Sequence, residues 1–245
     1  MTKKKTLFNS VRGKSLSSRV VNQVIDALFA RKLQPGEFLG TEAQLAEAFE
    51  TSRVPIREAL GRLEALGVIR IKTGAGGGAT VAEGEPDQFA IALAVQFMLI
   101  RVTAGEFFDA RIAVECRGAE LAAAAITDEE LDELRDLFEQ ISVGETGRAA
   151  VERILRFHVA IVEASRSRTL IALMHALEHA LLNVYLEASP EHAGHAPKGY
   201  RNLEKILHCL EARDSQGAHD AMRAHLLRQR EMVVARLGER DHDAR

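Results

Sequence analysis

Residues 51–67 read Thr51-Ser52-Arg53-Val54-Pro55-Ile56-Arg57-Glu58-Ala59-Leu60-Gly61-Arg62-Leu63-Glu64-Ala65-Leu66-Gly67. Ile56, Ala59, Leu60 and Leu63 recur at three- and four-residue spacing, which predicts one apolar stripe on a helix from about Arg53 to Leu66. Pro55 near the start costs little, because first-turn N–H groups have no intrahelical partner, and Gly67 ends the helix. Arg53 and Arg57 lie four apart, on a face away from that stripe. Two hydroxyls, Thr51 and Ser52, precede them.

Working outward, Thr41 with Gln44 three positions on is a capping box for a short helix carrying Leu45, Ala46 and Phe49. Before it, Val20, Val21, Val24, Ile25, Leu28 and Phe29 predict a first helix from Ser15 to near Lys32, and Gln34-Pro35-Gly36 forces a turn. After Gly67, Val68-Ile69-Arg70-Ile71-Lys72 is a short β-rich run. The glycine-rich stretch 73–78 turns the chain, and Ala79-Thr80-Val81 returns as a second strand. Helix, helix, helix, hairpin is the order of a winged helix-turn-helix, whose third helix enters the DNA major groove. Arginine suits such a helix because its planar fork pairs bidentately with guanine or phosphate.

The stretch Glu83-Gly84-Glu85-Pro86-Asp87 reads as a linker. Beyond it, helices are expected at about 87–101, 104–125, 127–142, 146–165, 167–187, 198–213 and 214–237, with a capping box at Thr127/Glu130 and a loop over 189–197. The fold class is therefore mostly α. Residues 1–82 form the winged helix, 83–87 the linker, 88–238 an all-α antiparallel bundle, and 239–245 a tail. Net charge divides along the same line: residues 1–82 hold 13 Lys/Arg against 7 Asp/Glu, the rest 19 against 28. A basic N-terminal third suits phosphate binding, since each neutralised phosphate releases condensed counterions. Cys116 and Cys209 match no metal spacing and read as two small buried hydrophobes of a reducing, cytoplasmic compartment. No run of about 18 apolar residues suggests a membrane span, and no secretory signal opens the chain.

The run PGEFLGTEAQLAEAFETSRVPIREALGRLEALGVIRIKTGAGGGATV resembles the reading domain of the GntR family of transcription regulators. The resemblance implies contacts to double-stranded operator DNA from Ser52, Arg53 and Arg57, with Thr73, Gly74 and Gly76 of the wing reaching the minor groove. Ala43 stands where many members carry an arginine. The phosphate contact at that place is weakened, or passes to Arg12 or the Lys3-Lys4-Lys5 tail.

Residues 87–237 resemble the FCD effector domain of the FadR subfamily, through Glu106-Phe107-Phe108-Asp109-Ala110-Arg111 with Glu115, Phe157-His158 with Ala164-Ser165, and Asp214 leading to His225. Many such domains hold a divalent metal with an Asp and a His four residues apart plus two later histidines. Here His158 and His225 match, but Ile154 and Leu203 stand at the other two places. Two imidazoles alone make a poor site, so no cofactor is expected and His158 and His225 remain as the only candidate metal donors. The same resemblance makes Arg111 a candidate partner for a small carboxylate effector, against the alternative of an ion pair with Glu115. His158 and His225 would hydrogen-bond the ligand, with Ile154 and Leu203 making the cavity apolar. That favours an acid with a larger apolar part, or a lipid-like acid. A homodimer on a palindromic operator, acting as a repressor released by its effector, completes the expectation.

Two other readings compete. His175-Ala176-Leu177-Glu178-His179 fits the H-x-x-E-H pattern of a zinc peptidase, but no third ligand follows and Leu173, Leu177 and Leu181 read as core. An effector-independent architectural DNA-binding protein would not need a helical domain twice the size of its reader. No enzyme activity is expected.

Overall fold

The computed structural model describes residues 15–74, 76–84, 86–142, 147–188 and 197–243. The chain divides into two compact units, residues 1–88 and 89–245. The 1–14 tail, with Lys3-Lys4-Lys5 and Arg12, lies outside the described residues. So do Ala75 and most of the loop expected over 189–197.

The first unit holds α1 (Leu16–Phe29), β1 (Phe38–Gly40), α2 (Glu42–Ala48), α3 (Arg53–Ala65), β2 (Ile69–Lys72) and β3 (Gly78–Val81). Ser15 caps α1 by accepting from the Ser18 N–H, and Thr41 and Gln44 close the expected capping box on α2. The end of α3 follows from one residue. Gly67 takes φ +67°, its N–H bonds the Glu64 carbonyl, and the next N–H, of Val68, reaches back to Leu63. This double bond pattern satisfies carbonyls the helix leaves open, in a conformation glycine adopts without strain. Ile56, Ala59, Leu60 and Leu63 meet Val20, Val21 and Val24 of α1, with Ala46, Ile69 and Ala79 completing the core.

The sheet has one strand more than the sequence pattern predicts. β1 pairs antiparallel with β3, giving the order β1-β3-β2. Three residues are too few to show alternation, so only the pairing partner reveals this strand. β1 crosses so close that a Cβ on Gly78 would lie 2.6 Å from the Phe38 ring and 2.8 Å from the Gly40 carbonyl oxygen.

The second unit is all helical among its described residues: α4 (Pro86–Leu99), α5 (Ala104–Ala125), α6 (Asp128–Ser142), α7 (Arg148–Ala164), α8 (Arg168–Ala188), α9 (Pro197–Glu211) and α10 (Ser215–Asp243). Helix α10 runs on through most of the stretch expected as a tail. α5 is the central element, packed along α10, α7, α8 and α9. One apolar cluster joins α5, α6, α7, α9 and α10 around Phe157, Ile161, Ile206 and Met222. A second joins α4, α5, α7, α8 and α10 around Phe108, Leu155, Leu181 and Val233. Helix α8 is long and apolar enough by composition to cross a membrane, which the search for an unbroken apolar run misses. Its Met174, Leu177, Leu181 and Val184 pack into the second cluster instead.

Candidate nucleic-acid interface and buried sensor site

On the first unit, burying the Ile56/Leu60/Leu63 stripe turns Ser52, Arg53 and Arg57 outward, all exposed at the start and outer face of α3. Ser52 occupies the N-cap position, yet its hydroxyl makes no capping bond and so stays available to an incoming acceptor or donor. Val54 beside it is 65% exposed, an apolar side chain turned outward because its place falls off the 3.6-residue stripe. Arg57 does not stand alone. Its Nε lies 2.8 Å from Glu42 Oε1, and its Nη2 donates to Oε2 at 3.1 Å. At the wing, Gly74 (φ +94°) and Gly76 (φ +76°) face open space, while Thr73 is exposed. Arg57, Lys72, Thr73 and Gly74 help to line a cleft of about 410 Å³ between α3 and the wing.

In the second unit, the structure gathers Arg111, His158 and His225 in one place. Arg111 is fully enclosed on α5. Its Nε donates to Glu115 Oε1 at 2.5 Å and its Nη2 to Oε2 at 3.2 Å. Its Nη1 reaches the Tyr185 hydroxyl and, at 3.2 Å, Gln229 Oε1. The guanidinium carbon sits 5.3 Å from the Phe108 ring centre and 5.7 Å from that of Tyr185. Glu115 also meets His158, with Oε2 2.6 Å from Nδ1. Sequence spacing pointed to Glu115 but not to Tyr185 and Gln229, which are brought in from α8 and α10 with no local pattern.

Burial opposes the Glu115 carboxylate, but Arg111 and His158 outweigh it and hold its pKa at about 2. Burial likewise opposes the charge on Arg111, and Glu115 and Tyr185 reverse the effect, raising it. The histidines go the other way. Burial lowers His158 despite Glu115, and burial with the nearby His158 and Arg111 charges drives His225 well below the ordinary imidazole value. Both rings are thereby biased toward the neutral form. They stack at 5.1 Å between centres, inclined by 26°. His158 Nε2 and both nitrogens of His225 are buried without a hydrogen-bond partner among the described residues.

The residues around the pair do not fit the metal common in the resembling domains. Ile154 packs against the first apolar cluster and Leu203 lies inside it. Both Glu115 oxygens are committed to Arg111 and His158. Among the described residues no group of three or more His, Cys, Asp or Glu side chains could hold an ion. The His175/Glu178/His179 pattern does not converge either. Glu163 Oε1 lies 3.5 Å from His175 Nε2, and Glu178 Oε2 lies 3.9 Å from Nδ1. The two carboxylates thus flank opposite edges of one ring, and His179 points to solvent. Cys116 is buried, which pushes its thiol up to about 12, while Cys209 is half-buried; both are free.

Comparisons with known proteins agree with this layout. Residues 16–78 match the bacterial regulatory proteins of the gntR family, and residues 106–228 match the FCD domain. The chain is 28% identical over 200 residues to the HTH-type transcriptional regulator LutR of Bacillus subtilis (strain 168), covering 80% of this chain and 90% of that one. It is 28% identical over 228 residues to the putative L-lactate dehydrogenase operon regulatory protein of Escherichia coli (strain K12), covering 86% and 83%. A solved structure, Streptococcus agalactiae GntR, shares the fold with a TM-score of 0.58 at 20% identity, covering 88% of this chain and 99% of that one. This chain belongs to the GntR family of DNA-binding transcription regulators, in the FadR-like branch whose second domain is an FCD effector domain.

Proposed function

We propose that this regulator is a cytoplasmic homodimeric repressor without catalytic activity. A small carboxylate lodged beside His158 and His225 releases it from a palindromic operator. One observation carries the effector site: three imidazole nitrogens buried without partners among the described residues, next to a fixed guanidinium. A buried polar atom left unpaired costs about 1–3 kcal/mol, so a ligand that pairs with it gains that much in return. An entering acid exchanges the neutral Tyr185 and Gln229 partners of Arg111 Nη1 for its own carboxylate, while Glu115 keeps the other edge. Ile154 and Leu203 give the surroundings an apolar character, which favours an acid with an apolar tail over a small hydroxy acid.

DNA contact rests on Ser52, Arg53 and Arg57 with the Thr73, Gly74 and Gly76 wing, and dimerisation draws on the outer face of α4. Ile91, Val95, Met98 and Leu99 there are each more than half exposed, an apolar surface suited to a second copy. The test is to map the operator by footprinting and then to screen carboxylic acids, L-lactate and medium-chain fatty acids among them, for release of the DNA. Release by apolar-tailed acids that is lost in Arg111→Met and His225→Phe supports the reading. Release by small hydroxy or sugar acids alone refutes the apolar-tail assignment. Release unchanged in both variants refutes the site.

A further inference from the structure

We propose that Glu42 is a positioning residue that holds Arg57 as a reader of guanine and keeps it off the phosphate backbone. The inference rests on Arg57 being a DNA-contacting residue, as proposed above, and adds how its fork is aimed. A guanidinium offers two bidentate edges, Nε/Nη2 and Nη1/Nη2. Glu42 faces the first, accepting a hydrogen bond from Nη2 at 3.1 Å, with Nε 2.8 Å from Oε1 as a close charge contact. The second edge stays open, and its spacing matches the O6/N7 pair that guanine presents in the major groove.

Burial sets the direction. The Glu42 side chain is 32% exposed and that of Arg57 74%, so the carboxylate sits at the base of the pair and the guanidinium at its outer end. Glu42 is free for this task because Thr41 and Gln44 complete the capping of α2 between themselves. Stability does not explain the pairing, since an exposed ion pair contributes about 0–1 kcal/mol. Arg53, one turn earlier on the same face, has no such carboxylate among the described residues. Two arginines of one helix are thereby given different tasks. Arg53 keeps its flexible stem and can follow a phosphate. Arg57 is held in one orientation, with a negative charge behind it that disfavours a phosphate at the same place.

The experiment uses the full-length protein and a random-sequence duplex library. Selected sequences are compared for wild type, Glu42→Gln, Glu42→Asp and Arg57→Ala. Each protein is then titrated with its selected duplex and with poly(dA-dT), which has no guanine, over a salt series. For Glu42→Gln, one guanine per half-site should drift toward random and the ratio of specific to non-specific affinity should fall about tenfold. Its salt slope on poly(dA-dT) should steepen by about 0.9 for each added phosphate contact. Glu42→Asp, charged but shorter, should fall between the two. Arg57→Ala should lose the same guanine, and adding Glu42→Gln to it should change nothing further. Arg57→Ala losing that guanine while Glu42→Gln matches wild type overturns the role of Glu42 alone. Equal weakening of Glu42→Gln on both duplexes, with parallel salt lines, shows a merely structural residue and overturns it too. Arg57→Ala retaining the guanine overturns the Arg57 reading and this inference with it.

Discussion

Arg111 and Glu115 stand one helical turn apart on α5, and neither side chain touches solvent. Attraction in such a place is offset by the cost of taking both charges out of water, so the intact pair contributes little net stability, while a broken one costs much. Glu115→Gln, which leaves Arg111 charged and half-paired, should lower stability in urea unfolding by about 3–5 kcal/mol. Replacing both together by Arg111→Met and Glu115→Leu should cost far less. The neighbouring histidines impose a pH dependence of known sign. His158 and His225 have folded pKa values below the ordinary 6.5, so the unfolded chain binds more protons as pH falls through that value. Their contribution is complete above about pH 6.5 and is lost progressively below it. Glu115, at about 2 against an ordinary 4.5, adds stability that is present above 4.5 and lost as pH falls toward 2. Urea midpoints measured at pH 7.5 and 5.5 should fall for wild type and fall less for His225→Phe. On the outer face of α3, Arg53→Ala should weaken binding to the operator and to poly(dA-dT) alike and lower the salt slope by about 1, as titrations of both duplexes over a salt series would show.

Among the elements, those with capping signals were the most legible. The boxes at Thr41/Gln44 and Thr127/Glu130 are present as expected, and a third, Thr103/Glu106, opens α5. Helix ends also rest on arginines in the left-handed region. Arg166 (φ +60°) closes α7 and pairs bidentately with Glu130 at the start of α6; Arg213 (φ +56°) follows α9 and reaches Asp128. β1 was not legible, because three residues carry no period and its partner β3 lies about 40 residues on. Its presence makes Gly78 a contact residue. Gly78→Ala should destabilise the first unit by about 1–3 kcal/mol in thermal or urea unfolding, because the new methyl group meets Phe38 and the Gly40 carbonyl.

At the scale of the whole molecule, the basic charge balance and the winged helix coincide in the first unit, and the acidic balance falls on the helical second unit. A charged residue in the middle of the exposed α4 face, Val95→Glu, should shift the protein toward monomer in sedimentation velocity if that face joins two copies. It should leave the helical content unchanged. The sequence by itself determined the two-part organisation, the helix order and the outward face of α3, because these follow from apolar periodicity, caps and turn residues within a few positions of each other. It also placed Arg111, His158 and His225 on a short roll of candidates. Only the tertiary structure decided what those residues meet. Tyr185 and Gln229 come to Arg111 from helices 74 and 118 residues away, and Glu42 comes to Arg57 from another element. Side-chain partners across packed helices depend on crossing geometry and rotamer, which leave no spacing in the chain to be read.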